Sequence, residues 1–215
     1  MFSVIFDMDG TLLDSQRICI PAWEYAGRKQ GIPDLGSHVK KVCGMNEAGC
    51  AEYIAEHFPA INLKLFRQDE HKYVAEHETA ELMPGATELL TFLKGKNIKM
   101  AIASGTNTDI VVSKLKKSDV LQYFDAVVGG DMVTNGKPAP DVFLLAAEKI
   151  GAEPGNCFVY VDSPNGIRAA YNAGMKCFGI PDIAEFNDEI RSFLFAQLKN
   201  LAYAIPILKE FCTND

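Results

Sequence analysis

The chain has 215 residues, nearly half of them hydrophobic and about a quarter charged, with no long block of one charge; this excludes a disordered polymer and suffices to bury a sizeable core. A formal net charge of -7 argues against a protein that grips nucleic acid by its phosphates, because that affinity rests on clustered Lys and Arg. No apolar stretch approaches the ~20 residues of a membrane span, and the opening MFSVIFDMDG has too short an apolar run and no cationic flank for a signal peptide, so a cytoplasmic protein with no membrane partner is expected.

In chain order, residues 3–6 form a short apolar run of β-branched and aromatic type, which predicts a buried strand ending at Asp7. From about 15 to 80 the pattern changes. Helical periodicity predicts helices over 16–30, 47–57 and 63–78, broken at Gly31-Ile32-Pro33 and Phe58-Pro59, with no strand-like run between them. This reads as a helical cap, 15–80, inserted after the first strand of a core made of 1–14 and 81–215. Strand-like runs at 99–103, 124–128, 157–161 and, more weakly, 175–180 then alternate with helical segments at 85–96, 108–117, 140–150 and 165–173. Such alternation predicts an α/β fold with a parallel sheet, right-handed crossovers and helices on both faces. The tail 183–211 reads as helix, kinked or divided at Pro206.

Six cysteines, Cys19, Cys43, Cys50, Cys157, Cys177 and Cys212, lack CxxC or zinc-ligand spacing and read as reduced, buried hydrophobes. Trp23 reads as core packing, with pocket lining as the second reading, and His38, His57, His71 and His77 all fall in the cap, away from the chemistry. The acidic run 76–81 reads as a solvated helix end leading to a hinge at Met83-Pro84.

Ligands of an open parallel sheet bind beyond the C-terminal ends of its strands. There the first strand delivers Asp7 and Asp9, the second Ser104-Gly105-Thr106, the loop after the third Lys137, and the fourth Asp162-Ser163. Gathered carboxylates suit magnesium, and Lys137 adds a second positive charge. A phosphoryl group held between metal and ammonium has its oxygens neutralised, which lets Asp7 approach as a nucleophile and form an aspartyl-phosphate. Asp9, brought round by a turn at Gly10, is suited to protonate the leaving alcohol and then deprotonate water.

Asp7-Met8-Asp9-Gly10-Thr11, Ser104-Gly105, Lys137-Pro138-Ala139-Pro140-Asp141 and Asp162-Ser163-Pro164-Asn165-Gly166 resemble, in order and strand placement, the four motifs of the haloacid dehalogenase superfamily. The resemblance covers roughly 1–14 and 81–190, with the insertion where subfamily I members carry a small cap, and is nearest to the β-phosphoglucomutase-like phosphatases. It implies a Rossmann-like core, Mg2+ as cofactor, and a cap that closes over a small phosphorylated metabolite. For the residues it implies Asp7 as nucleophile, Asp9 as general acid and base, Ser104 with Gly105 as phosphoryl binders, Lys137 as charge neutraliser, and Asp7, Asp9 and Asp162 as metal ligands. Thr11, Ser163 and Asn165 are secondary candidates, and Gly44-Met45-Asn46-Glu47 is the cap specificity loop. The family places a second acidic group just before Asp162 or four residues after it; those positions here are Val161 and Gly166, one carboxylate fewer than the resemblance implies. Mutases of the subgroup carry an Arg in the cap loop to grip a second phosphate, whereas Glu47 repels one. The reading is therefore a magnesium-dependent phosphatase of a small phosphomonoester such as a sugar phosphate, monomeric or a weak homodimer, with no nucleic-acid partner. A phosphomutase and a non-catalytic binding protein of the same fold are the alternatives.

Overall fold

In the computed structural model, which describes residues 2–79 and 81–212, the chain opens with β1 (Ser3–Phe6), whose Val4, Ile5 and Phe6 are wholly buried. A helical stretch follows: α1 (Cys19–Lys29), a 3-10 turn at Leu35–His38, then α2 (Val39–Val42), α3 (Glu47–His57) and α4 (Leu63–His77). Asn46 and Asn62 start α3 and α4 by accepting the backbone N–H of Gly49 and Leu65, which satisfies donors with no partner inside the helix. These helices bury an apolar cluster of their own, built on Trp23, Leu35, Val39, Ile54 and Phe66.

The remainder alternates as expected: α5 (Ala86–Gly95), β2 (Met100–Ala103), α6 (Thr108–Lys117), β3 (Ala126–Val128), α7 (Asp141–Lys149), β4 (Cys157–Val161), α8 (Pro164–Asn172) and β5 (Lys176–Gly179). Then come α9 (Asp188–Ser192), a short β6 (Ala196–Gln197) and α10 (Ala204–Cys212). The six strands form one sheet in the order β3-β2-β1-β4-β5-β6, every pairing parallel. Alternate residues of each strand face opposite sides, so Val4 and Phe6 join a cluster with Leu89, Leu115 and Leu208, while Ile5 joins one with Phe143, Val159 and Ala170. A sheet covered on both faces needs strands that are apolar throughout, which is why β1, β2 and β4 carry no polar alternation.

The tail corrects the sequence reading. Instead of one helix over 183–211 it holds α9, β6, a 3-10 turn at Leu201–Tyr203 and α10. Two residues carry too little periodicity to announce a strand; β6 exists because Ala196 and Gln197 pair with Phe178 and Gly179 at the sheet edge. Pro206 neither kinks nor divides a helix. It is the third residue of α10, inside the first turn, where its missing N–H has no partner to lose. Ala80, expected as the last residue of the cap, lies outside the described residues. Among the described residues no helix is long and apolar enough to cross a membrane, and all six cysteines carry free thiols.

Candidate active site

Parallel register brings three strand ends level: Phe6 pairs with Ile102 on one side and with Tyr160 on the other, so Asp7, Ser104 and Asp162 leave the sheet close together. Lys137 reaches the same edge from the loop before α7. Its Nζ lies 2.7 Å from Asp7 Oδ2 and also donates to the Ala103 carbonyl at 3.2 Å. Asp7 Oδ1 accepts the Met8 N–H, and Asp162 Oδ1 accepts from Thr11 Oγ1 at 3.1 Å. Asp162 Oδ2 is buried and has no hydrogen-bond partner among the described residues.

Two buried carboxylates thus stand near one ammonium, which is paired with Asp7. Burial pushes the Asp7 carboxyl above its ordinary range, with Lys137 offsetting part of the rise. Burial, and then the neighbouring Asp7, push Asp162 well above the usual carboxylate range. Such a site is short of positive charge.

The donor set fits a hard divalent cation. A Cβ placed on Gly10 would lie 2.5 Å from Asp162 Oδ2, so the hollow in front of that oxygen stays open only because position 10 has no side chain, in a left-handed turn at φ +77°. Among the described residues no three His, Cys, Asp or Glu side chains gather as a ready-made metal cluster. The candidate ligands are instead the two carboxylates of Asp7 and Asp162 with neutral oxygens, the arrangement magnesium accepts because it retains several waters. The acid missing beside Asp162 has a steric counterpart: a side chain at position 166 would begin 2.1 Å from Val161 Cγ1, so the two candidate positions exclude each other's side chains.

Asp9 faces another way. Its Oδ1 accepts from Ser15 Oγ and from Lys114 Nζ at 3.1 Å, and its Oδ2 from Thr106 Oγ1 at 2.8 Å and Ser104 Oγ at 3.4 Å. Burial alone would raise its carboxyl, but Lys114 and the hydroxyls outweigh that and hold it below the ordinary range. Lys114, on α6, lies also 2.7 Å from Glu78 Oε1, just beyond α4, which links the sheet edge to the helical stretch.

The secondary candidates support the frame. Thr11 holds Asp162, Ser163 caps α8 by accepting the Gly166 N–H, and Asn165 Nδ2 donates to the Cys43 carbonyl. The loop carrying Gly44, Met45 and Asn46 presses on the same edge: a Cβ on Gly44 would meet Ser163 Oγ, and one on Gly105 would lie 2.7 Å from the Met45 carbonyl.

A cavity of about 500 Å³ separates the sheet edge from the helices. Asp7, Asp9, Ser104 and Gly105 line its floor, and Trp23, Met45, Glu47, Arg67 and Glu70 its roof. Trp23 meets both readings made of it, packing edge-on against Phe66 while its Nε1 donates to Glu70 at 2.9 Å on the cavity wall. Glu70 also accepts from Arg67 at 2.6 Å. Gln16, Lys114, Arg67 and Glu70 were not anticipated. In sequence an Arg and a Glu three apart on a helix signal only a solvated ion pair, and nothing marks Gln16 or Lys114 as turned inward.

A family model described as haloacid dehalogenase-like hydrolase matches residues 4–180. A phosphorylated carbohydrates phosphatase of Thermotoga maritima is 34% identical over 182 residues, covering 82% of this chain and 83% of that protein. The (DL)-glycerol-3-phosphatase 2 of Arabidopsis thaliana is 35% identical over 193 residues, covering 83% of this chain and 79% of that protein. Among solved structures, a hydrolase from Pseudomonas syringae matches with a TM-score of 0.85 at 26% identity, covering 98% of this chain and 99% of that one.

Proposed function

This chain belongs to the haloacid dehalogenase-like hydrolase family and is a phosphatase of small phosphorylated metabolites, and on that premise we propose that it works with magnesium through an aspartyl-phosphate on Asp7. The observation that carries the proposal is the pair of buried carboxylates, Asp7 and Asp162, at the mouth of the sheet, where the Lys137 ammonium pairs with Asp7 and Asp162 Oδ2 has no hydrogen-bond partner among the described residues. The family typically uses Mg2+. Asp7, Asp162 and the Asp9 carbonyl are the residues to hold it, and when bound it neutralises phosphoryl oxygens.

Lys137 aims Asp7 and adds charge against the incoming phosphoryl group, and Ser104 with the backbone at Gly105 orients it. An Asp7 carboxylate oxygen attacks phosphorus, forming the acyl phosphate as the bond to the leaving alcohol breaks. Asp9 gives that alcohol a proton and afterwards takes one from the water that hydrolyses the acyl phosphate, which restores Asp7 and frees phosphate. Because Lys114 holds Asp9 charged, proton donation requires that contact to loosen.

We assign residues 15–80 as the cap over a core of 1–14 and 81–215, with 44–47 as its specificity loop. The cap shapes the substrate by charge. Arg67 and Lys114 are already engaged by Glu70, Asp9 and Glu78, while Glu47 stays on the roof, so a second phosphate meets more negative than positive charge. An uncharged, hydroxylated leaving group fits better, such as a sugar or polyol. Phosphate release from glycerol 3-phosphate, hexose monophosphates and hexose bisphosphates, with magnesium and with chelator, tests this. Magnesium-dependent turnover of the monoesters above the bisphosphates is expected; no such release from any monoester defeats the proposal.

A further inference from the structure

Two buried oxygens beside the candidate metal site have no hydrogen-bond partner among the described residues: Asp162 Oδ2 and Gln16 Oε1. They face the same hollow. A Cβ on Gly10 would lie 2.5 Å from the first and 2.7 Å from the second. Asp162 is wholly buried and Gln16 is 7% exposed, so neither orphaned oxygen has ready access to bulk water. Two acceptors turned toward one small space, with no donor between them, mark a place where positive charge or a strongly polarised water belongs.

The backbone keeps Gln16 there. It follows Ser15, whose hydroxyl is engaged by Asp9, and its own carbonyl accepts the Cys19 N–H as α1 begins. Gln16 therefore enters the site from the first crossing out of the sheet, opposite the motif whose second acid is replaced by Val161 and Gly166.

We propose that Gln16 supplies the oxygen the fourth motif lacks, its Oε1 joining Asp162 Oδ2 in facing the hydrated magnesium ion. This rests on the magnesium-dependent reading above. A neutral amide in place of a carboxylate keeps the number of oxygens around the ion while lowering the negative charge that holds it, so restoring the charge at position 16 tightens binding and removing the oxygen weakens it.

Calorimetric titration of the phosphate-free full chain with magnesium chloride tests this, with melting curves in chelator to check folding. Gln16→Leu is expected to weaken magnesium about 10- to 100-fold, the range seen when a residue supporting a metal site is removed. Gln16→Glu is expected to tighten it, and carries the test should Gln16→Leu fail to fold. Equal affinity in the wild type and both variants overturns the inference while leaving the phosphatase reading intact. A wild type that binds no magnesium overturns both.

Discussion

The sheet edge and the helices facing it hold their charged groups by different means. At the edge, Asp7, Lys137 and Asp162 are each at least nine-tenths buried, and one carboxylate oxygen has no partner among the described residues. In the roof, Arg67 pairs with Glu70, and Glu70 also receives the Trp23 indole. The chain thus tolerates uncompensated negative charge where a phosphoryl group and a cation are to arrive and neutralises it across the cavity. Chemistry is concentrated on the first of these surfaces, and substitutions should expose that division.

The largest effect is expected from Lys137→Met. Asp7 loses its cationic partner in a buried setting, and breaking such a pair costs about 3–5 kcal/mol. Denaturant unfolding should show that loss together with collapse of turnover. In the roof, Glu70→Leu removes the acceptor of the Trp23 N–H and the carboxylate paired with Arg67, and should cost roughly 1–3 kcal/mol. Turnover of monoesters should survive it with a raised KM; a loss of kcat equal to that of Lys137→Met would erase the distinction between the surfaces.

Asp162→Asn should act in the opposite direction on stability. Its carboxyl is raised in the fold, so the folded state holds the proton that the unfolded chain has released, and metal-free stability falls as pH climbs from about 3.9 through the raised value. Removing that charge should raise the metal-free Tm at neutral pH by a few degrees, since about 1 kcal/mol corresponds to roughly 2–4 °C at this chain length, while abolishing magnesium binding. Lys114→Met is read in the pH dependence of stability. Asp9 is held below the ordinary range, so its stabilising contribution is present above about 3.9 and lost as pH falls through the depressed value. Without Lys114 the loss should begin at higher pH, visible as an acid-unfolding midpoint moved upward.

The same division governs what could be read without coordinates. Asp7, Asp9, Ser104, Lys137 and Asp162 stand at the ends of strands apolar on both faces or in the loop beside them, and spacing alone locates them on one edge. Strand β6 escaped because a two-residue strand exists only through its partner. Gln16, Lys114, Arg67 and Glu70 escaped because long polar side chains on helices and turns face outward by default, and only packing between the two surfaces shows which have turned inward. Val161 and Gly166 were legible as departures, but that they exclude each other's side chains needed the 2.1 Å approach to be seen.

In the proposed reaction Asp7 carries the phosphoryl group. Asp7→Asn should still unfold cooperatively, though at lower stability because Lys137 loses its paired carboxylate, lose magnesium-dependent phosphate release by about three orders of magnitude or more, and show no phosphorylated protein by mass spectrometry after rapid acid quench. Turnover close to wild type in that variant, or a phosphoryl group still attached to the chain, would contradict the account.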